Sequence, residues 1–524
     1  MGYAYSHNEN VIRSYFLIFA KNYNFDPLGI IVNQSVKGTV YIYIGVILGF
    51  ITTGILLPRI YSTEQVGLLK ILVAYSSLIA SFGTLGFNGV SIRLFPFFKD
   101  ERHKHHGYLV DILLIGMIGF LISTTLLLVL KPWISSFSAE KSALFLENFN
   151  YLIILIFFQI FFSLLDAYNS ALLNILLSIF LREVLQRILI ILSIGLYFID
   201  LLNFNQFVIL YITAISLPTL FIIISLIQKR QFSLQPEFKF LNRSLLITIA
   251  SVSASSILNG FSLIIIQNVD VIMINGMIGL GNTGVYSVCF FFGLVISLPA
   301  RSIIKIVNVV SAQAWKENNI KLIQDIYSKS CLTLFIIGLL LFIGLWANIH
   351  NILHILGPNY SEGKWVIFFI GLSSLFDMIT GANGSILGTS KYYAMQTGFM
   401  VILVFLLILI NLVLIPRFGI TGAAMGGAVS LGILNLMRYL YLLYKFEFQP
   451  FNIRFVYVAA LGAGSYYLSI LIPQISNFIV DIGIRSLFLI IVFCTPVYFM
   501  KISDDINNKA DEIFALLKLK KQFK

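Results

Sequence analysis

The amino-acid sequence predicts an all-α membrane protein with about fourteen transmembrane helices joined by short connections. Of the 524 residues, 58% are hydrophobic and only 11% are charged, so the chain has too little polar surface to cover a water-soluble globule. Apolar runs of about 20 residues, the length that crosses a bilayer, recur along nearly the whole chain. These runs, such as residues 112–130, are continuous rather than alternating, which favours helices as the spanning elements.

The predicted spans follow the apolar runs. The first eight lie near residues 38–58, 66–87, 108–130, 148–168, 184–200, 206–228, 244–267 and 284–304. Six more lie near residues 329–348, 365–387, 392–415, 419–441, 455–473 and 484–500. No connection between them is long enough to form a folded domain, so any binding site is expected between the helices.

The distribution of Lys and Arg predicts the orientation. If the N-terminus is cytoplasmic, 28 basic residues fall on the cytoplasmic side and six on the opposite side, with Lys70 inside the second span. Because cytoplasmic loops are enriched in Lys and Arg, both termini are predicted to be cytoplasmic. The same bias explains the formal net charge of +12 without a nucleic-acid partner. The basic C-terminal tail is expected to lie on anionic lipid headgroups.

No cofactor or metal site is predicted. The three cysteines lie inside apolar runs, without the paired spacing of a disulfide framework or a zinc cluster. His103, His105 and His106 lie in a basic loop that is predicted to be cytoplasmic, and they are interpreted as a solvated surface. No nucleophile, base and orienting group occur together in a catalytic pattern.

The chain contains an internal repeat. Residues 61–79 resemble residues 280–298, each being a short turn with a glycine that opens a helix, and Gly67 and Gly284 are 217 positions apart. A second pair of similar segments, near Asn169 and Asn383, lies at a comparable offset. Six predicted spans separate the copies, and because six is even, the halves share one orientation. An axis along the membrane normal is therefore expected, which is typical of two-lobed transporters.

Three segments of the chain resemble a known family. Residues 34–70, 352–366 and 412–431 are similar, in order and spacing, to polysaccharide flippases of the MATE-like (MOP) superfamily, the O-antigen (Wzx-type) transporters. The resemblance covers about residues 29–500. It implies two six-helix lobes around a central cavity, with two extra C-terminal helices. It also implies alternating access for an undecaprenyl-diphosphate-linked oligosaccharide in the bacterial cytoplasmic membrane.

With this resemblance the chain is predicted to be a transporter and not an enzyme. Its implied partners are the lipid-linked oligosaccharide, membrane lipids and a polysaccharide polymerase, and no nucleic acid. The predicted segments are a cytoplasmic N-terminal segment 1–37, an N-lobe 38–228, a cytoplasmic linker 229–243, a C-lobe 244–441, two further spans in 442–500 and a basic cytoplasmic tail 501–524.

Transport of a lipid-linked sugar requires cationic groups for the diphosphate. Lys70 shares a face of the second predicted span with Ser77 and Ser81, and Arg301 and Lys305 lie one turn apart. These three bases are predicted to contribute a positive path for the headgroup. Two alternatives stay open: Lys70 can extend to the membrane interface, and Arg301 and Lys305 can serve as positive-inside anchors.

A polar stripe follows one face of the seventh predicted span. Ser251, Ser255, Asn259 and Ser262 have the spacing i, i+4, i+8 and i+11, and Asp270 lies about three turns beyond Asn259. Such a stripe suits a hydrated cavity for the glycan. The alternative is that these small polar residues pack one helix against another in lipid.

Two acids are candidates for ion coupling. Asp377 lies about twelve residues into the tenth predicted span, where an ionised carboxylate is costly unless it is protonated, paired or hydrated. A role in coupling to protons or sodium is predicted for Asp377 and, as a second candidate, for Asp270. A structural hydrogen bond within the bundle is the alternative.

Three other functions are weighed against the flippase. A cation-coupled multidrug exporter of the same fold would favour an acid in the first span, and residues 38–58 contain none. A lipid II flippase is not distinguished by the sequence. A membrane glycosyltransferase or polymerase would need acids or arginines on a sizeable external loop, whereas only Arg59 and Glu64 follow the first span.

Overall fold

The computed structural model of the protein describes residues 27–100, 102–138, 142–237 and 240–522. These residues form helices and connecting turns, and no strand occurs among them. The prediction of an all-α membrane protein is therefore confirmed. Most of the predicted N-terminal segment 1–37 lies outside the described residues.

The helices are labelled in chain order. The first half contains α1 (Pro27–Gly49, continued by Phe50–Leu56 and Leu57–Ile60), α2 (Thr63–Gly83), α3 (Phe87–Phe98), α4 (Tyr108–Ser138), α5 (Ala143–Glu147), α6 (Tyr151–Ala171), α7 (Ile175–Phe180, continued by Leu181–Leu185 and Gln186–Phe198) and α8 (Phe204–Gln228). The second half contains α9 (Arg243–Met277), α10 (Leu280–Leu294), α11 (Ala300–Lys316), α12 (Ile320–Ala347), α13 (Ile349–Leu356), α14 (Lys364–Ile379), α15 (Asn383–Thr389), α16 (Tyr393–Phe446), α17 (Ile453–Ile470), α18 (Phe478–Phe499) and α19 (Asp504–Gln522).

The count of fourteen spans is not confirmed. In the described part of the chain, eleven helices are long and apolar enough to cross a membrane, or twelve if α14 and α15, which are bent by 52°, form one span. The predicted fifth span corresponds to α7, which is not among them and carries Arg182, Glu183 and Arg187. The predicted eleventh and twelfth spans lie together in α16, where Gly419 interrupts the helical backbone with a φ of +58°.

Helix starts are specified by local side chains. At the start of α2 the side chain of Ser62 accepts a hydrogen bond from the backbone N–H of Gln65, whose side chain accepts one from the backbone of Ser62. Asn203 and Gln206 form the same reciprocal pair at the start of α8. These pairs satisfy backbone donors that would otherwise be left unpaired at a helix N-terminus.

The two halves meet at the positions related by the repeat. A Cβ atom on Gly67 in α2 would overlap the carbonyl oxygen of Leu280, and a Cβ atom on Gly284 in α10 would overlap the carbonyl oxygen of Thr63. Thr63 and Leu280 are also 217 positions apart, so the contact is reciprocal. Reciprocal contacts are expected across a two-fold axis. Only glycine lets the two backbones approach this closely.

Both repeat-related spans break and continue as a second helix. After α2 the chain turns at Leu85 and Gly86, with φ values of 47° and 73°, before α3 begins. After α10 the chain passes through the 3-10 turn Val295–Ser297 and Pro299 before α11 begins. α3 packs on α6 and α9, whereas α11 packs on α15 and α12.

Among the described residues, three apolar clusters hold the bundle together, of which two are large. The larger one joins the N-lobe to the first helices of the C-lobe and includes the fully buried Leu68 of α2 and Val288 of α10. The second lies in the C-lobe and includes Leu489 and Phe493 of α18. Lipid is as apolar as these side chains, so close packing rather than escape from water provides the stabilisation.

Candidate functional site

A polar cavity of about 430 Å³, called the N-lobe cavity below, lies between helices α2, α3, α6, α7 and α8 of the N-lobe and α9 of the C-lobe. The polar residues at its wall include Ser77, Ser81, Asn88, Gln159, Arg182 and Gln186. Two hydrogen bonds order this wall: Gln159 Nε2 donates to Ser76 Oγ at 2.9 Å, and Asn88 Nδ2 donates to Ser163 Oγ at 2.8 Å. Among the described residues that line the cavity, none is acidic, so the site suits a neutral or anionic polar group.

Lys70 lies in the interior of α2, away from both helix ends. Its face of the helix continues through Val73 and Ser77, which line the cavity. Lys70 is half-buried and has no hydrogen bond or ion pair with a described residue. It lies close enough to Arg187 for the two charges to repel each other. The structure therefore places a cation without a counter-ion beside the cavity.

Arg182 and Arg187, which the charge count placed among the 28 basic residues of the cytoplasmic side, lie inside α7. The predicted fifth span began at residue 184, but the helix begins at Ile175 and accommodates the charged stretch as the π-helical turn Leu181–Leu185. Arg182 lines the cavity. The helix extends beyond the predicted span because charges end an apolar run in a sequence, whereas a helix that faces an internal cavity tolerates them.

Two glycines of α1 make room for an ion pair on α7. Arg187 Nη2 lies 3.0 Å from Glu183 Oε2. A Cβ atom on Gly49 would overlap Arg187 Nη1, and one on Gly45 would lie 2.9 Å from Glu183 Cβ. Glycines four residues apart allow helices to pack closely in lipid. That spacing in the first span is the signal by which the sequence could have pointed to this pair.

The bases of α11 lie on an exposed face. Arg301, Lys305 and Asn308 have the spacing i, i+4 and i+7, and all three are exposed. The opposite face packs on α12 and α15 and includes the buried Val307. Neither base has an ion-pair or hydrogen-bond partner among the described residues. The predicted eighth span, 284–304, is divided in the structure, so both bases belong to the amphipathic helix that follows it.

The predicted polar stripe of α9 does not line the N-lobe cavity. Ser255 Oγ and Ser262 Oγ donate to carbonyl oxygens of their own helix at 2.9 and 2.8 Å, and Ser262 is buried. Asn259 is exposed, and its Oδ1 accepts a hydrogen bond from Thr397 of α16 at 3.2 Å. A serine whose hydroxyl bonds its own helix can lie at a packed interface, which the spacing alone does not reveal. The face of α9 that borders the cavity contains Gly260, Leu263, Ile264 and Gln267.

Asp270 connects three helices through its carboxylate. It is 7% exposed, and it accepts hydrogen bonds from Tyr286 Oη and from Asn411 Nδ2, both at 2.6 Å. The Oδ1 atom of Asn411 is buried and has no hydrogen-bond partner in the described part of the chain. The site therefore offers a carboxylate next to an unpaired carbonyl oxygen, which are the ligand types that hard cations prefer.

Asp377 belongs to a second polar cluster, in the C-lobe. Asn435 Nδ2 donates to Asp377 Oδ1 at 3.2 Å, and Arg438 Nη1 donates to Asn435 Oδ1 at 3.3 Å. Arg438 Nε also donates to Gln396 Oε1 at 3.0 Å, and Arg438 is only 7% exposed. The sequence presents Arg438 only as a charge near a span end, counted on the cytoplasmic side, whereas in the structure Gln396 and Asn435 satisfy its guanidinium inside the bundle.

The fold and these sites place the chain in a known class. Residues 35–308, more than half of the chain, match the family model described as "Polysaccharide biosynthesis protein". The chain belongs to this family. No curated protein sequence matches it.

The fold is similar to the folds of solved membrane transporters. The structure described as "Lipid II flippase MurJ, inward closed conformation" is 15% identical, with a TM-score of 0.69, over 90% of this chain and 99% of that chain. The structure of an inward-facing multidrug resistance MATE family transporter of the MOP superfamily is 16% identical, with a TM-score of 0.59, over 79% of this chain and 94% of that chain. At these identities the similarity shows the fold alone.

Proposed function

We propose that this protein moves an undecaprenyl-diphosphate-linked oligosaccharide across the bacterial cytoplasmic membrane by alternating access between its two lobes, with both termini in the cytoplasm. Membership of the polysaccharide biosynthesis family supports a substrate of this class. Its partners are the lipid-linked oligosaccharide and membrane lipids, and a polysaccharide polymerase would receive the product. The protein acts by binding and conformational change, without a catalytic group.

The observation that carries this proposal is the set of basic residues without counter-ions. Lys70 in α2 and Arg301 and Lys305 in α11 have no ion-pair partner among the described residues. Placing an unpaired cation such as Lys70 within a membrane-spanning helix is costly, so such residues usually serve a ligand or a pathway. Arg301 and Lys305 are exposed and therefore accessible to an anionic headgroup. A diphosphate supplies the missing negative charge, and a guanidinium can bind its oxygens through two hydrogen bonds.

The N-lobe cavity is suited to bind the sugar part of the proposed substrate. Its wall of hydroxyl and amide groups, such as Ser77, Ser81 and Gln159, matches the hydrogen-bonding groups of a glycan. In this proposal Ser255, Asn259 and Ser262 of α9 contribute to the remainder of the path when the lobes move. The exposed Asn259 is the first of these to test.

The coupling ion is assigned to the two carboxylate clusters. Asp270 with Asn411 offers oxygen ligands in a buried position, and Asp377 is hydrogen-bonded to Asn435 near Arg438. Binding of a proton or sodium ion at either carboxylate would change the packing between helices of the C-lobe. In this proposal Asp270→Asn or Asp377→Asn removes the dependence of transport on the ion gradient while leaving membrane abundance unchanged.

The decisive experiment is deletion of the gene in its native host, followed by complementation. We expect loss of surface polysaccharide and accumulation of its undecaprenyl-diphosphate-linked precursor, with cell-wall synthesis unchanged. The intact gene should restore export, and Arg301→Gln should not.

Two outcomes would replace this proposal with its rivals. Accumulation of lipid II with arrest of cell-wall synthesis would identify a lipid II flippase. Normal surface polysaccharide together with increased drug sensitivity would identify a multidrug exporter of the same fold.

A further inference from the structure

A cluster of imidazole and carboxylate groups lies in the turn between α3 and α4, on the predicted cytoplasmic face. His103 Nδ1 lies 2.7 Å from Asp100 Oδ2, and His106 Nε2 lies 3.9 Å from the same oxygen. One ligand atom from each of these three residues lies within 4.8 Å of the others. The rings of His103 and His106 are stacked, with centroids 5.4 Å apart. Both imidazoles therefore present a nitrogen to one carboxylate oxygen.

The backbone holds this arrangement in place. The backbone N–H of Arg102 donates to Asp100 Oδ1 at 2.8 Å, which leaves Oδ2 to face the two histidines. Lys104, His105 and His106 all have positive φ values, which are uncommon for residues other than glycine. This left-handed turn directs His106 back towards Asp100.

A second carboxylate reaches the cluster from the linker between the lobes. His106 Nδ1 lies 2.8 Å from Glu237 Oε2, and the His106 ring stacks on Phe240 with centroids 4.0 Å apart. The linker is seated directly on the turn, because a Cβ atom on Gly107 would lie 2.7 Å from the carbonyl oxygen of Gln235. Histidines that bind metals commonly donate their other N–H to a carboxylate, which fixes the tautomer and the ring orientation. The Glu237–His106 contact has this form.

We propose that Asp100, His103 and His106 bind a divalent transition-metal ion of the zinc class, with Glu237 orienting His106. Two imidazoles and a carboxylate suit Zn²⁺ and its neighbours, whereas Mg²⁺ and Ca²⁺ prefer oxygen ligands alone. Three protein ligands leave a coordination position for water. The bound ion would hold the linker against the N-lobe.

The three proposed ligands are close together in the sequence, but His103 and His106 were interpreted as a solvated surface because the carboxylate that orients His106 is far away in the chain. Glu237 is 131 positions from His106, and only the fold brings them together. Metal ligands must be deprotonated, so the ion should bind more weakly in acid.

The test is metal binding by the full-length protein, purified in detergent through a tag without histidine. After treatment with a chelator, the protein is titrated with Co²⁺, whose visible absorption reports coordination by nitrogen and oxygen, and with Zn²⁺ by calorimetry. We expect about one ion per chain, as for a single site with three protein ligands, and no competition by excess Mg²⁺. Absence of saturable binding by the intact protein would overturn the proposal.

Three variants locate the site. His103→Ala with His106→Ala should remove the bound ion. Glu237→Gln should retain it with an affinity about 10- to 100-fold weaker, because Glu237 orients a ligand and does not bind the ion itself. His350→Ala with His354→Ala, which changes a histidine pair on α13, is the control and should bind normally.

Wild-type binding by the His103 and His106 double variant would place the ion elsewhere and overturn the proposal. If that variant does not fold, Glu237→Gln decides, since an unchanged affinity would contradict the role of the linker carboxylate. A weakened affinity in this variant alone would support the site.

Discussion

The two bent spans, α2 with α3 and α10 with α11, are copies in the internal repeat, yet they differ at their predicted cytoplasmic ends. Their first halves contact each other symmetrically, through Gly67 and Gly284. Their second halves do not have matching environments. The repeat thus explains the shared helix order and the contact between Gly67 and Gly284, which is called the seam. It does not explain why the two lobes are in closer contact at α3, the closed side, than at α11, the open side.

The difference lies in the residues that face the opposite lobe. In α3 a Cβ atom on Gly89 would lie 2.7 Å from Ser256 Cβ of α9, so the helices are in close contact. The position of α11 that corresponds to Gly89 is Ile306, which is 65% exposed. Among the described residues, no contact of comparable extent joins α11 to α1, the counterpart of α9. The open side carries Arg301 and Lys305, which suits entry of an anionic headgroup between the lobes.

The largest expected effect comes from fixing the closed side. In a background without the native cysteines, Gly89→Cys with Ser256→Cys should cross-link under mild oxidation and abolish export, because alternating access requires α3 and α9 to separate. A reductant should restore export. The repeat-related pair, Thr39→Cys with Ile306→Cys, is the matched control and should cross-link poorly. Equal cross-linking of both pairs would show that the two sides are equivalent and would refute the comparison.

A smaller effect is expected at the symmetric seam. Gly67→Ala and Gly284→Ala should each destabilise the protein by about 1–3 kcal/mol, because the added methyl group meets backbone that has little freedom to move. Thermal unfolding in detergent measures this loss. Gly195→Ala, where an added Cβ meets no atom within 4 Å, is the control. A loss in only one of the seam variants would contradict the reciprocal contact.

The smallest effect is expected where a flexible side chain can move aside. Gly49→Ala should displace Arg187 from Glu183, and a partly exposed pair of this kind contributes only about 0.2–1 kcal/mol. We therefore expect near-normal stability and a reduction in export of about two- to fivefold. Gly38→Ala, which would meet the side chain of Ile179 at 3.2 Å on the same helix pair, should leave export unchanged. If both variants export equally well, the Arg187–Glu183 ion pair does not contribute to transport.

Several parts of the fold could be predicted from the sequence for physical reasons. Apolar length predicts spanning helices, and the glycines at positions 67 and 284 predicted the correspondence that the seam confirms. The separate helices α3 and α11 were missed. Predicted span 66–87 ran past the turn at Gly86, and predicted span 284–304 ran through Pro299, because hydropathy continues across both breaks.

The candidate site was only partly accessible to sequence analysis. Lys70, Arg301 and Lys305 were selected because they lie in or next to apolar runs. Arg187 and Arg438 were only counted among the basic residues of the cytoplasmic side, because a charge near the end of a run has the same appearance whether it meets water or an internal polar group. Glu183 lies one turn before Arg187 on the same helix, so its spacing was visible in the sequence. Gln396, the partner of Arg438, becomes evident only when the two halves of α16 are packed.

The central claim is that unpaired bases bind the diphosphate, and binding of a short-chain polyprenyl diphosphate to the purified protein tests it most directly. Arg301→Gln should weaken binding by about tenfold or more, because hydrogen bonds to a charged group contribute about 1.5–3 kcal/mol. Arg301→Lys should be intermediate, since lysine keeps the charge but not the planar geometry. Lys316→Gln, an exposed base at the other end of α11, should bind as wild type. Unchanged binding by Arg301→Gln, Lys70→Gln and their double variant would contradict the account and leave these residues as topological anchors.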